Sequence, residues 1–288
     1  MYIIESTNIL TPQNGLNIYR GRTEDSIILT EIAGADPYDI GVKTDAPELL
    51  VKALKRRRRG NAMIQIGSMG DPYNVYEEDY GLVRSCLKII EMHDFGVTIY
   101  TKTNRIVRDL DVLEGIARKT KCVVEISMPT LSTSKMEKLE GIETISPSQR
   151  IKLIKKLTDA GIDVIVSVYP IIPYVNDSEE DLTSLVETLA ETTVKGINLN
   201  DLRFVIKTSL RENFYNEFKL RFPKEYKEFS KEFEEVGELH ARNWKSILPK
   251  LENICDRNGK LHDAADIKEW KRHYENKTVG EQLSFTII

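Results

Sequence analysis

The chain is poor in the residues that carry metals and redox chemistry. Its 288 residues include three cysteines, Cys86, Cys122 and Cys255, and four histidines. The wide cysteine spacing excludes a disulfide framework and any short-range metal motif. Cys86 falls on an apolar helical face with Leu82, Ile89 and Ile90, and Cys122 opens a strand, so the thiols are expected to be small buried hydrophobes. His93, His240, His262 and His273 all sit in helical or tail sequence, and none offers an acid–base pair near a strand end. No apolar run approaches membrane-spanning length. The start, Met1-Tyr2-Ile3-Ile4-Glu5, lacks the basic-then-apolar pattern of a signal peptide, and a cytoplasmic protein is expected. Positive charge is not in excess either. The net charge is −4, which argues only weakly against a nucleic-acid partner and leaves one open. The one basic block, Lys55-Arg56-Arg57-Arg58-Arg59, ends a predicted helix, where cations suit the macrodipole, with a phosphate-binding patch as the alternative reading.

What is present is a regular alternation of strand and helix. Short apolar runs with strand character begin at Leu16 and recur at 62–66, 97–100, 122–126, 164–168 and somewhere within 197–206. Between them lie helical periodicities. One opens with Asp45 as cap and an early Pro47, one spans 76–93, and one uses Ile106, Leu110, Leu113 and Ala117. Ser146-Pro147-Ser148-Gln149 is a capping box with proline at the first helical position, and Ser178 opens a further helix. From Leu210 onward charged helical sequence is expected without further strands. Repeated βαβ units mean an α/β fold with a parallel sheet, either a partial barrel or an open doubly wound sheet. The economical reading is one barrel-like core over 1–209 with a helical extension over 210–288.

In such folds ligands bind beyond the carboxyl ends of the strands. Polar residues recur there: Arg20 after the first strand, Ser68 and Asp71 after the second, Lys102 after the third and Ser127 after the fourth. Lys102 is the sharpest, an ammonium able to hold a carboxylate or phosphate, though a lysine in a βα turn can also be mere surface. The serines could bond a hydroxyl or a carboxylate, or serve the turns they sit in. Asp71 before Pro72 reads first as a cap for the next helix. Gly67-Ser-Met-Gly70 is too short for a phosphate-binding P-loop. A small molecule is the expected partner, with a protein partner left open.

Several motifs resemble one family in order along nearly the whole chain. They are Asn17-Ile-Tyr-Arg-Gly21, Gly67-Ser-Met-Gly-Asp-Pro-Tyr-Asn74 with Gly81-Leu-Val-Arg84, and Tyr100-Thr-Lys102 with Val107-Arg-Asp-Leu110. Pro170-Ile-Ile-Pro173 with Asn176-Asp177 and the tail Glu281-Gln-Leu-Ser284 continue the series. The set resembles the radical S-adenosylmethionine (SAM) superfamily, in the branch similar to spore photoproduct lyase. The resemblance implies a partial (β/α)6 TIM-like barrel with S-adenosylmethionine across its carboxyl-end rim. It implies cofactor-binding roles for Ser68, Asp71, Lys102 and Ser127, with Ser68, Lys102 and Ser127 against the methionine and ribose portions. It also implies a [4Fe-4S] cluster held by C-x3-C-x2-C just after Gly21. Those three positions are Arg22, Ser26 and Leu29 here, and neighbours such as Thr23-Glu24-Asp25 depart from the family as well. The lyase's hydrogen-donating cysteine, just before the serine after strand two, is replaced by Gly67. The expectation is therefore a cluster-free pseudoenzyme or ligand-binding regulator. An enzyme doing non-radical chemistry on the same ligand, or an unrelated α/β-barrel enzyme, are the alternatives.

Overall fold

The structure is a computed structural model that describes residues 2–3, 9–11, 15–20, 40–55, 62–68, 70–141, 144–206, 211–233 and 237–274. Arg22, Ser26, Leu29, most of the basic block after Lys55 and the tail motif at Glu281 lie outside the described residues.

Six parallel strands form the core sheet: β1 (Gly15–Leu16), β2 (Met63–Ile66), β3 (Gly96–Thr101), β4 (Cys122–Ser127), β5 (Asp163–Ser167) and β6 (Gly196–Asn198). They are hydrogen-bonded in chain order, with the two-residue strand Leu10–Thr11 antiparallel beyond β1. Among the described residues the two edges do not pair with each other, which makes this a partial barrel. The crossovers are made by α1 (Ala46–Lys55), α2 (Leu82–Met92), α3 (Leu110–Lys119), α4 (Thr133–Glu140), α5 (Pro147–Asp159) and α6 (Glu179–Ala190). One side of every strand, with residues such as Val97, Ile99, Val124, Ile126, Val164 and Val166, packs on those helices as the main core. Full burial of each such side chain contributes about 1.5–3 kcal/mol, enough for the strand–helix alternation to dictate the fold.

Local signals behave as their chemistry requires. At α5 the Gln149 amide donates to Ser146 Oγ (3.3 Å) and the Ser146 amide donates to Gln149 Oε1 (2.8 Å), a complete capping box. Ser178 Oγ accepts from the Asp181 amide at 3.2 Å and starts α6. The helix expected over 76–93 is two pieces, a single turn Glu77–Tyr80 and then α2. The break falls at Gly81, in the left-handed region at φ 58°, where only glycine is free of strain. The buried Glu77 carboxylate replaces the missing cap by accepting from the Val83 amide at 3.0 Å.

The stretch 197–206 holds two strands rather than one. β6 ends at Asn198, and β7 (Arg203–Val205) turns away to pair antiparallel with β8 (Glu238–His240). The expectation that strands cease after Leu210 is thus corrected. Three residues are too few for alternation to show, and only Leu239 of β8 is buried. Helices α7 (Arg211–Arg221) and α8 (Pro223–Phe233) add an aromatic cluster built on Phe214, Phe218, Phe222 and Phe229. Then α9 (Trp244–Arg257) leads to Leu261, which bridges to Gly196 at the open edge of β6, and α10 (Ala264–Arg272) folds back across the concave side. Its Ile267 is buried against Val123 and Ile165, so the C-terminal helix fills the lumen of the partial barrel.

Candidate functional site

Strand register arranges the concave face in rows. Tyr100 lies level with Glu125, and Glu125 with Ile165 and, through it, Gly196. Two residues further up, Ser127 lies level with Ser167 and Ser167 with Asn198, and Lys102 follows directly on Thr101, the partner of Ile126. The upper row is therefore Lys102, Ser127, Ser167 and Asn198, all at the carboxyl ends, because side chains two apart on a strand share a face.

Two of the four expected site residues meet there. Lys102 and Ser127 are half-buried neighbours, and the Lys102 ammonium acts on both Tyr169, whose backbone holds Ser127, and the buried Glu140. Burial pushes the Tyr169 phenol up to about 12, against the pull of Lys102. Ser127 Oγ donates to the Tyr169 carbonyl at 2.6 Å, and its own carbonyl accepts from Arg150 Nη1. Ser68 lies in the exposed turn after β2.

Asp71 does not cap a helix as its expected structural role required. Its carboxylate accepts from the Tyr73 amide (2.9 Å), from Thr101 Oγ1 (2.9 Å) and from the Lys102 amide (2.7 Å). It ties the β2 turn to the end of β3 and so positions Lys102. Gly67 closes the same turn. It sits at φ 92°, and a Cβ there would lie 2.4 Å from the Tyr100 carbonyl oxygen. No side chain fits this position. Gly67→Ala is expected to cost roughly 1–3 kcal/mol, read as a lowered urea midpoint at unchanged slope; an unchanged midpoint would show the turn can relax.

Sequence reading missed the residues behind and below the row. Behind it, Arg150 is wholly buried, with Nη2 on Glu140 and on Thr144 Oγ1 at 2.8 Å. Burial raises the Glu140 carboxyl, but Arg150, Lys102 and the hydrogen bonds outweigh it and hold that group below the usual carboxylate range. Below it, Glu125 accepts from Ser167 Oγ and from Lys271 Nζ, both at 2.6 Å, and Lys271 reaches Tyr100 Oη at 3.3 Å. The one signal was a glutamate inside the apolar run of β4.

The three thiols lie elsewhere. Cys86 is in α2, Cys122 at the foot of β4 and Cys255 in α9, all buried. Burial pushes each thiol up, Cys255 to about 12. Among the described residues no group of histidine, cysteine, aspartate or glutamate is arranged to hold a metal ion. No described helix is long and apolar enough to cross a membrane.

With this geometry in place, the fold has clear counterparts. A cysteine-to-alanine mutant of spore photoproduct lyase superposes with a TM-score of 0.66 at 15% identity, covering 91% of this chain and 80% of that one. A tyrosine-to-phenylalanine mutant of the same lyase gives 0.62 at 15% identity, covering 95% and 82%. The chain thus shares the fold of spore photoproduct lyase, a partial parallel barrel. In sequence it is 27% identical over 158 residues to uncharacterized proteins of Mycobacterium tuberculosis and Mycobacterium bovis. That match takes in 55% of this chain and 46% of each relative, about half their length. No family model matches the chain.

Proposed function

We propose that the protein binds a small molecule bearing a carboxylate, S-adenosylmethionine or a close relative, across the carboxyl-end rim, and that it does so as a ligand-binding regulator or pseudoenzyme. It builds no [4Fe-4S] cluster and does not cleave S-adenosylmethionine reductively. The placement of the thiols carries this reading. A cluster of this kind needs three thiolates close together. Arg22 and Leu29 have no lone pair to give, Ser26 alone cannot hold iron, and Cys86, Cys122 and Cys255 are buried in three separate elements. The residues present do not fit a cluster.

They do fit the ligand. Lys102 can neutralise its carboxylate, and the serine row offers hydroxyl oxygens beside it. Ser68 joins the contact from the exposed turn after β2, while Asp71 acts by holding the Lys102 backbone. Iron and sulfide analysis of protein made anaerobically in iron-replete cells tests the reading. We expect iron far below stoichiometric; about four iron atoms per chain with thiolate-to-iron absorption would overturn it.

The buried Glu125–Lys271 pair with Tyr100 favours a second reading, an enzyme doing polar chemistry on the same ligand. Turnover of S-adenosylmethionine by iron-free protein would establish that one.

A further inference from the structure

The C-terminal helix rests on the lumen by few contacts. Before it, Leu261 is tied to β6, its carbonyl accepting from the Ile197 amide at 2.7 Å. Within α10 Ile267 is wholly buried, Trp270 and Lys271 are partly buried, and the other residues are exposed. Ile267 and Lys271 are four apart and so share one face. The end of the helix is held by side chains: Lys121 Nζ donates to the Trp270 and His273 carbonyls, and Tyr274 Oη donates to the Ala62 carbonyl at 3.1 Å. A segment with so little buried apolar surface belongs to the low-stability end of a fold, where opening does not require global unfolding.

What α10 covers is a charge. Glu125 Oε2 accepts from Lys271 Nζ at 2.6 Å, the two side chains being 7% and 14% exposed. Its Oε1 accepts from Ser167 Oγ, also at 2.6 Å. Lys271 Nζ further reaches Tyr100 Oη at 3.3 Å and stands 5.3 Å from the centre of the Tyr100 ring. The walls are apolar, Val123 and Ile165, on which Ile267 packs. Burial opposes the Lys271 ammonium, but Glu125 and Tyr100 outweigh it and hold that group above its usual range. Stability does not call for this arrangement, because apolar side chains of similar volume in place of a buried ion pair are often as stable or more so. A carboxylate, an aromatic ring and apolar walls are the groups that recognise an ammonium on an apolar stem.

We propose that α10 is a strap that lifts from the lumen as a unit, and that the Glu125 carboxylate beneath it is a binding site for a primary ammonium on an apolar stem, with Lys271 as its tethered occupant. Lys271 donates separate N–H groups to Glu125 and Tyr100, and a quaternary nitrogen has none to give either. An incoming amine competes with Lys271 and so holds the strap open. The site lies below the rim and needs no ligand there.

The probe is n-butylammonium chloride, with butyltrimethylammonium chloride at equal concentration as the control for charge and stem. Calorimetric titration of full-chain Lys271→Ala gives the dissociation constant of the vacated site. Adding Glu125→Gln to that variant should weaken binding about tenfold or more, the loss of one charge-assisted hydrogen bond. In the wild type, amide hydrogen exchange read by mass spectrometry follows the strap. Peptides covering α10 are expected to exchange faster than those covering β4. At ten times that dissociation constant the amine should speed α10 about tenfold further and leave β4 unchanged, while the quaternary ion does nothing. A purely structural ion pair would leave the exchange indifferent to the amine. If Lys271→Ala does not fold, wild-type exchange over a series of amine concentrations carries the test alone. Exchange of α10 no faster than that of β4 overturns the strap. An amine without effect on α10, or a quaternary ion that speeds it equally, overturns the ammonium site.

Discussion

Arg150→Met is expected to destabilise the protein by about 3–5 kcal/mol, a fall in Tm of roughly 6–20 °C for a chain of this size. Arg150 has no exposed side-chain surface and Glu140 has 2%. Removing the guanidinium strands a carboxylate in a low-dielectric core and leaves the Ser127 carbonyl and Thr144 without their donor. Most of the loss is the cost of an unpaired buried charge rather than the worth of the bridge. Replacing both partners, Glu140→Leu with Arg150→Met, should therefore recover much of it. A single substitution within 1 kcal/mol of wild type would show that water reaches the site.

The same pair sets an acid limit. The Glu140 carboxyl is held lower in the folded chain than in the unfolded one, so the unfolded state binds more protons as pH falls. The contribution is fully present above the unfolded value of about 4.3 and drains away as pH drops through the folded value. In Arg150→Met the carboxyl loses its main counter-charge and burial dominates. Urea midpoints from pH 7 to pH 3 should then fall less steeply than in the wild type.

Lys102→Ala is expected to weaken binding of S-adenosylhomocysteine or S-adenosylmethionine by about 10- to 150-fold. A charge-assisted bond to a carboxylate contributes about 1.5–3 kcal/mol, and each 1.4 kcal/mol is a factor of ten. Two features sharpen the expectation. Asp71 and Thr101 clamp the backbone at Lys102, so its side chain starts from a fixed point. Glu140, the carboxylate on which its charge acts, is itself held by Arg150. Arg22 is the natural comparison, a guanidinium standing at a cluster-ligand position. Affinity unchanged by Lys102→Ala and lowered by Arg22→Ala would move the carboxylate to the first loop. Unchanged affinity in both would place it elsewhere altogether.

The sequence by itself determined the six parallel strands, the capping box at Ser146 and the burial of the thiols. Each depends on period, spacing or a helix-end residue acting within a few positions. It also brought Lys102 and Ser127 to one rim, because a residue directly after a parallel strand has nowhere else to go. Tertiary structure alone decided what those residues face. The Glu125–Lys271 pair joins positions 146 apart in the chain, and its two halves read separately as a flaw in an apolar strand and an ordinary tail lysine. Arg150 sits on a helix face otherwise filled by Leu153, Ile154 and Leu157, where a cation is intelligible only once Glu140 is beside it. Asp71 looked like a local cap, but its strongest partner is an amide 31 residues away, on the next strand. Gly67 shows the same limit, because its need for glycine comes from a carbonyl on β3 rather than from its own neighbours. Pairings of this kind depend on closing long loops around a sheet, and no period within one element records them.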